Sequence, residues 1–145
     1  MELNTVVLIP AYQPDEKLIS LVDELLEKGI PYIVIIDDGS TNKCVEVFDA
    51  LLIKERCQVI RHITNRGKGS ALKTGIKAII DSQTTYAGII TVDADGQHLV
   101  KDIIRTIAAF EKHTDQLYWG AVTFHKKSSP LKVGLAIKLH TFYSN

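Results

Sequence analysis

The sequence is poor in cysteine and proline, has one tryptophan and carries no excess of either charge. Its two thiols, Cys44 and Cys57, lie thirteen residues apart. They have no metal-ligand spacing and are too sparse for a disulfide-stapled secreted scaffold, so a reducing compartment is expected. Seventeen Lys+Arg balance seventeen Asp+Glu, giving a net charge of zero with His neutral. A protein held on nucleic acid by phosphate neutralisation shows a basic excess, so no nucleic-acid partner is expected. Nothing approaches the roughly 18 consecutive apolar residues of a transmembrane helix. The opening MELNTVVLIPAY has an acidic second residue and no signal-peptide core, so a cytoplasmic location is expected. What is present is a 145-residue chain, 46% apolar, which fits one domain with a real hydrophobic core.

Short β-branched runs alternate with longer stretches of helical period. VVLI at 6–9, YIVII at 32–36, QVIRHI at 58–63, GIITV at 88–92 and LYWGAVTF at 117–124 read as strands. Between them, PDEKLISLVDELLEKG predicts a helix whose Leu18, Leu21, Val22, Leu25 and Leu26 share one face. Further helices are expected over about 43–55, 70–81 and 99–113. Strands that are apolar almost throughout, separated by amphipathic helices, imply an α/β fold with a mostly parallel sheet covered on both faces. Ligands of such sheets bind at the carboxyl ends of the strands, where the strand order reverses.

Every polar cluster of note falls at such an end. DADGQ at 93–97 follows the fourth strand, and two carboxylates spaced i, i+2 can reach one hard divalent cation, Mg²⁺ or Mn²⁺. The same residues equally suit a turn that caps the following helix. His98, beside that loop, is the one histidine of five with a positional case, and a solvated loop residue is its plain alternative. DDGS at 37–40 ends the second strand: Asp38 is placed to accept bonds from a base or sugar, or the segment is a turn with Ser40 or Thr41 as N-cap. PAYQP at 10–14 has no glycine, which excludes the dinucleotide fingerprint, but Tyr12 offers a face on which a base can stack. NRGKGSALKTG at 65–75 lacks P-loop spacing; Arg66 and Lys68 before a helix suit a phosphate or simply a basic surface loop.

Four such motifs in this order resemble the nucleotide-binding half of a family 2 glycosyltransferase with the Rossmann-like GT-A fold. Within that family the likeness is to the dolichol- or polyprenyl-phosphate sugar transferase branch, over roughly residues 4–125. The resemblance implies a nucleotide-diphosphate sugar donor of UDP or GDP type. Pro10, Ala11 and Tyr12 would line the base pocket, with Asp38 reading the base and Asp37 its structural neighbour. Lys68, and less directly Arg66, would approach the nucleotide. Asp93 would face the ribose or a Mg²⁺ or Mn²⁺ ion, Asp95 would hold the ion, and Gln97 would sit beside it. The implied activity is inverting sugar transfer onto an acceptor such as a polyprenyl phosphate, with peripheral membrane contact at the cytoplasmic face.

No catalytic base is assigned among Glu111, Asp115 and His125. The family pattern also carries an arginine after the fifth strand. Here no arginine follows Arg105, and Lys126 and Lys127 are the nearest cations. Residues 1–125 are taken as the donor-binding domain, and 126–145 as a basic, apolar tail leading toward acceptor-side sequence, either an amphipathic surface helix or a stretch packed on the domain or on that further sequence. Two other classes fit parts of the pattern. A haloacid-dehalogenase-like phosphohydrolase would use DADGQ as its nucleophile loop, though that class places its DxD on an early strand. A catalytically inactive module would keep nucleotide affinity alone.

Overall fold

The expected strands form because β-branched runs with no polar interruption can be buried on both faces of a sheet. A computed structural model of the chain describes residues 2–112, 120–126 and 129–139. Strands β1 (Thr5–Ala11), β2 (Ile33–Asp38), β3 (Cys57–His62) and β4 (Gly88–Thr91) are joined by helices α1 (Lys17–Glu27), α2 (Val45–Leu52, entered through a 3-10 turn at Asn42–Cys44) and α3 (Lys68–Asp81). Helix α4 (Val100–Lys112) follows β4, and β5 (Gly120–Lys126) and β6 (Ser129–Lys138) complete the order. One six-stranded sheet results, in the order β3-β2-β1-β4-β6-β5. Strands β1 to β4 are mutually parallel, whereas β6 runs antiparallel to β4 and β5 antiparallel to β6.

Alternation along the strands divides the core in two. Val7, Ile9, Ile33, Ile35 and Ile90 pack against α1, α2 and α4, while Val6, Leu8, Val34, Ile36 and Ile89 pack against α3. Helix α3 approaches β1 closely because Gly75 has no Cβ; one added there would collide with the Leu8 side chain. Cys44 and Cys57 are both free and buried, and burial pushes the Cys57 thiol up to about 11, so it is inert at neutral pH.

Two features differ from expectation. Residues 129–138 form strand β6 rather than an amphipathic helix, because Leu131, Val133, Leu135 and Ile137 recur at the strand period of two. The sheet therefore extends into the segment taken as a tail. The fifth strand lies at 120–126, and the expected residues 117–119 lie outside the described residues.

Ile35 sits at the centre of β2 with no exposed surface. Ile35→Ala should lower unfolding stability by about 2–5 kcal/mol in urea titration, from lost transfer energy plus a residual cavity. A loss below about 1 kcal/mol would mean that α1 and α2 do not seal this strand.

Candidate functional site

The four parallel strands end on one edge of the sheet. After β3 the chain crosses to the far side of β1, so strand direction of growth reverses between β1 and β4 and a crevice opens outside their carboxyl ends. Around that edge lie Tyr12 after β1, Asp37 and Asp38 ending β2, His62 ending β3, the loop 63–67 leading into α3, and Asp93 after β4.

Because side chains alternate along a strand, Asp37 and Asp38 serve opposite faces. Asp37 lies on the α1/α2 face, where its Oδ1 accepts the Ser40 N–H at 2.9 Å and its Oδ2 lies 3.5 Å from Arg61 Nε. A cleft of about 150 Å³, bordered by Asp37, Ser40, Asn42, Val45 and Arg61, opens on that side, across the sheet from α3. Ser40 and Thr41 make no side-chain cap on the following turn. They are tied to Gln13 instead: Ser40 Oγ accepts the Gln13 N–H at 2.9 Å, and Gln13 Oε1 accepts the Thr41 N–H at 2.7 Å. Gln13, at a positive φ of 52°, thus fastens the end of β1 to the end of β2.

Asp38 is on the α3 face and only 4% exposed. Its Oδ1 accepts the Arg66 N–H at 2.9 Å and its Oδ2 the Gly67 N–H at 2.9 Å. His62, its register partner on β3, places Nδ1 2.8 Å from Oδ1 and Nε2 2.8 Å from Thr74 Oγ1 on α3. Burial pushes the Asp38 pKa up, but bonds from the Arg66 amide, His62 and the Gly67 amide outweigh it and hold the pKa below the ordinary 3.8. Gly39 completes the seat. Its φ is +75°, and a Cβ there would run into the backbone of Thr64 and Asn65. The sequence turns Asp38 toward a base; in the structure both its oxygens are engaged inside the protein. The Arg66 and Gly67 amides, in the loop expected to suit a phosphate through Arg66 and Lys68, are bonded to this carboxylate.

Lys68, the first residue of α3, places Nζ 2.7 Å from Asp93 Oδ1. His98 is largely buried, with Nε2 3.8 Å from Asp93 Oδ2. Its Nδ1 has no hydrogen-bond partner among the described residues. Asp95 and Gln97 are exposed, in a local turn where Asp95 Oδ1 accepts the Gln97 N–H at 3.1 Å and Gly96 takes a φ of 71°. Of PAY, Tyr12 is 55% exposed, whereas Ala11 belongs to the core and Pro10 is half-buried. The structure thus brings Lys68 to Asp93 and Asp38 to the loop that carries Lys68.

Among the described residues no group of three or more His, Cys, Asp or Glu is gathered to enclose a metal. Asp93, Asp95 and Gln97 place two carboxylates and an amide oxygen, the donor types a hard cation takes, on one loop, and Asp93 is paired with the Lys68 ammonium. Glu111 is at the wrong end for catalysis, since its Oε1 accepts the Asn4 N–H at 2.7 Å and the Thr5 hydroxyl at 2.6 Å at the start of β1. Asp115 and Lys127 lie outside the described residues, and His125 and Lys126 fall on β5. The sequence reading passed over Gln13, His62 and Thr74. For His62 the available signal was its place as the last residue of a strand whose neighbour ends in Asp38.

Residues 6–139 match the family described as glycosyl transferase family 2, and the chain belongs to that family. It is 40% identical over 101 residues to the uncharacterized protein MJ1222 of Methanocaldococcus jannaschii, an alignment covering 70% of this chain and 39% of that one. It is 29% identical over 114 residues to the UDP-N-acetylglucosamine–dolichyl-phosphate N-acetylglucosaminyltransferase of Methanococcus voltae, covering 70% of this chain and 45% of that one. The chain therefore spans less than half the length of these relatives. In fold it is similar to S. aureus TarS in complex with UDP-GlcNAc, with a TM-score of 0.57 and 22% identity over 77% of this chain and 31% of that one. The expected GT-A-like α/β architecture is the one observed.

The lowered Asp38 pKa fixes a sign. Between its folded pKa and the ordinary 3.8, the unfolded chain binds more protons, so stability rises with pH across that window. The Asp38 contribution is complete above about pH 5 and is lost as pH falls below about 4. Urea midpoints at pH 6 and pH 3 should therefore differ less in Asp38→Asn than in the wild type. Equal differences would mean that the carboxylate is not held ionised by this network.

Proposed function

We propose that the chain is the donor-binding part of a glycosyltransferase that takes its sugar from a nucleoside diphosphate at the carboxyl edge of the sheet. The observation that carries this reading is the Lys68–Asp93 pair standing at the point where strand order reverses. A basic side chain there can meet the diphosphate, and the exposed ring of Tyr12 at the end of β1 offers the base a stacking face. Pro10 stiffens the backbone behind that ring.

Asp93, Asp95 and Gln97 would hold Mg²⁺ or Mn²⁺. Such an ion supplies Lewis-acid stabilisation of the charge that builds on the diphosphate as the sugar bond breaks. Lys68 contributes to the same end from the protein side, placing a fixed positive charge beside the leaving group.

The acceptor proposed is a polyprenyl phosphate, supported by the dolichyl-phosphate enzyme among the relatives. A phosphate monoester with a second pKa of about 6 is already largely dianionic at neutral pH and can attack the sugar carbon without a carboxylate base. A single in-line displacement by that oxygen, with the nucleoside diphosphate leaving, would invert the sugar carbon. No helix among the described residues is long and apolar enough to cross a membrane. Contact with the lipid acceptor at the cytoplasmic face of the bilayer is part of the same proposal.

The test is thermal melting with UDP, GDP, UDP-GlcNAc and GDP-mannose, with and without Mn²⁺. Ligand at a hundred times Kd stabilises by about 2.7 kcal/mol, enough to raise Tm by several degrees. One nucleotide series should stabilise the chain in a Mn²⁺-dependent way, and Asp95→Ala should remove the Mn²⁺-dependent part. No shift with any nucleotide would overturn the reading. Turnover of a generic phosphate ester that is lost in Asp93→Asn would replace it with a phosphohydrolase.

A further inference from the structure

The sheet ends at β3, and no strand among the described residues pairs with its outer side. The Ile33 N–H donates to the Arg56 carbonyl at 3.0 Å, so along β3 the even-numbered residues turn their amides and carbonyls toward β2. Those of Cys57, Val59 and Arg61 therefore point away from the sheet. Soluble proteins blunt such an edge with proline, a bulge or several charges. Here β3 has no proline, its register with β2 runs without a shift from Cys57 to His62, and Arg61 is its one Lys, Arg, Asp or Glu.

Apolar side chains gather beside the same edge. Val45 and Leu52 of α2 are both more than half or half exposed, and with Val59 and Arg61 they border the cleft of about 150 Å³. Ile63 follows the strand directly and is 97% exposed, and Ile60 is half-buried on the α3 face. One exposed apolar residue needs no explanation, but several beside an open strand mark an interface.

The pattern of the strand itself points to the occupant. When β3 runs against a second β3 about a two-fold axis normal to the sheet, each face stays on its own side, so residues of like parity meet. Centred on Ile60, this pairing sets Ile60 against Ile60 of the second copy and Val59 against its Arg61. Val59 and Arg61 both turn their backbone outward, so each such pair exchanges two hydrogen bonds. On the α2 face, Arg61 of one copy then stands beside the cleft of the other, where Asp49 lies on the border. Arg61 is 61% exposed and sits 3.5 Å from its own Asp37, which leaves it donors for a second carboxylate. The match is reciprocal, as a two-fold interface requires.

We propose that the free edge of β3 is a self-association surface, on which two copies of the chain join antiparallel through β3, centred on Ile60, into one continuous sheet. The surface lies away from the Lys68–Asp93 crevice, and the proposal does not depend on the donor-binding reading.

The experiment is sedimentation equilibrium of the intact chain from about 1 µM to about 1 mM, a range that covers a weak interface. The wild type should pass from monomer to dimer within it. Over the same range, NMR should show exchange at the Val59 and Arg61 amides slowing about tenfold, with Gln58 and Ile60, already turned toward β2, changing much less. Asp49→Arg, which sets like charges together, should weaken the dimer about tenfold or more. Ile60→Cys should give a disulfide-linked dimer on mild oxidation, because directly opposed residues that are not hydrogen-bonded lie about 4.5 Å apart at Cα. Gln58→Cys should not, since Gln58 meets His62 of the second copy. A chain that stays monomeric to about 1 mM would overturn the proposal. So would a dimer whose Val59 and Arg61 amides exchange as in the monomer, or one that cross-links through Gln58→Cys and not through Ile60→Cys. A monomer that binds anionic phospholipid vesicles, and loses them in Ile63→Asp, would assign the edge to a lipid surface instead. If Ile60→Cys fails to fold, wild-type exchange and Asp49→Arg decide the matter by the same criteria.

Discussion

The arrangement of the whole carboxyl edge depends on one buried carboxylate and the donors turned toward it. An ionised group away from water is tolerated only when its oxygens are satisfied, and Asp38 is satisfied by two loop amides and a histidine. Those donors come from β3 and from the loop that opens α3, so meeting the carboxylate brings three separate stretches of chain to one point. Removing one partner of such a buried carboxylate costs about 1–3 kcal/mol or more, because an acceptor or donor is left unsatisfied away from water. The network is thus a constraint as much as a source of stability: the loop cannot adopt another path without exposing that cost.

Strand alternation explains why two adjacent aspartates do unlike work. Asp37 and Asp38 share a strand end but face opposite layers, one against the turn that enters α2 and the other against α3. The parallel register sets Ala11 beside Asp37 on one side, and Arg61 and His62 beside Asp37 and Asp38 on the other. Each carboxylate therefore has a basic residue at its own level on β3. Gly39 lets the chain turn immediately afterwards and leaves room for Thr64 and Asn65, so three consecutive residues organise both faces of the edge.

The parallel half of this fold was readable in the sequence because its signals are local: apolar runs too short for helices, a leucine face at helical spacing, and Gly29 just past the end of the first helix. Strand β6 was not readable as a strand because the mixed apolar and basic segment Leu131–Lys138 suits an amphipathic helix or a stretch packed on the domain, although its apolar residues alternate at period two. The candidate site was legible in its position, since strand ends in an α/β sheet are where ligands bind, and Lys68 and Asp93 do meet there. The fastening was not legible. His62 looked like one histidine among five, Thr74 looked like an ordinary helix residue, and Gln13 sat in a turn. Their roles come from contacts between residues 12 to 28 positions apart, which no local spacing encodes.

The zero net charge takes on a structural meaning when the two acidic sites are compared. Asp38 is held inside the protein by hydrogen bonds from His62 and the Arg66 and Gly67 amides. Asp93 is neutralised by Lys68 in a pair whose side chains are 42% and 61% exposed. An exposed ion pair of this kind is worth about 0.2–1 kcal/mol, so its partners can be exchanged at little cost. On the donor-binding reading, this contrast is what the site requires. A cation arriving at Asp93 and a diphosphate arriving at Lys68 would each replace a weak internal partner with a stronger external one. The backbone that carries Lys68 would meanwhile stay anchored by a network too costly to break. The edge thus combines a fixed base with exchangeable charges at its tip, and the fixed part keeps the ammonium within reach of both partners.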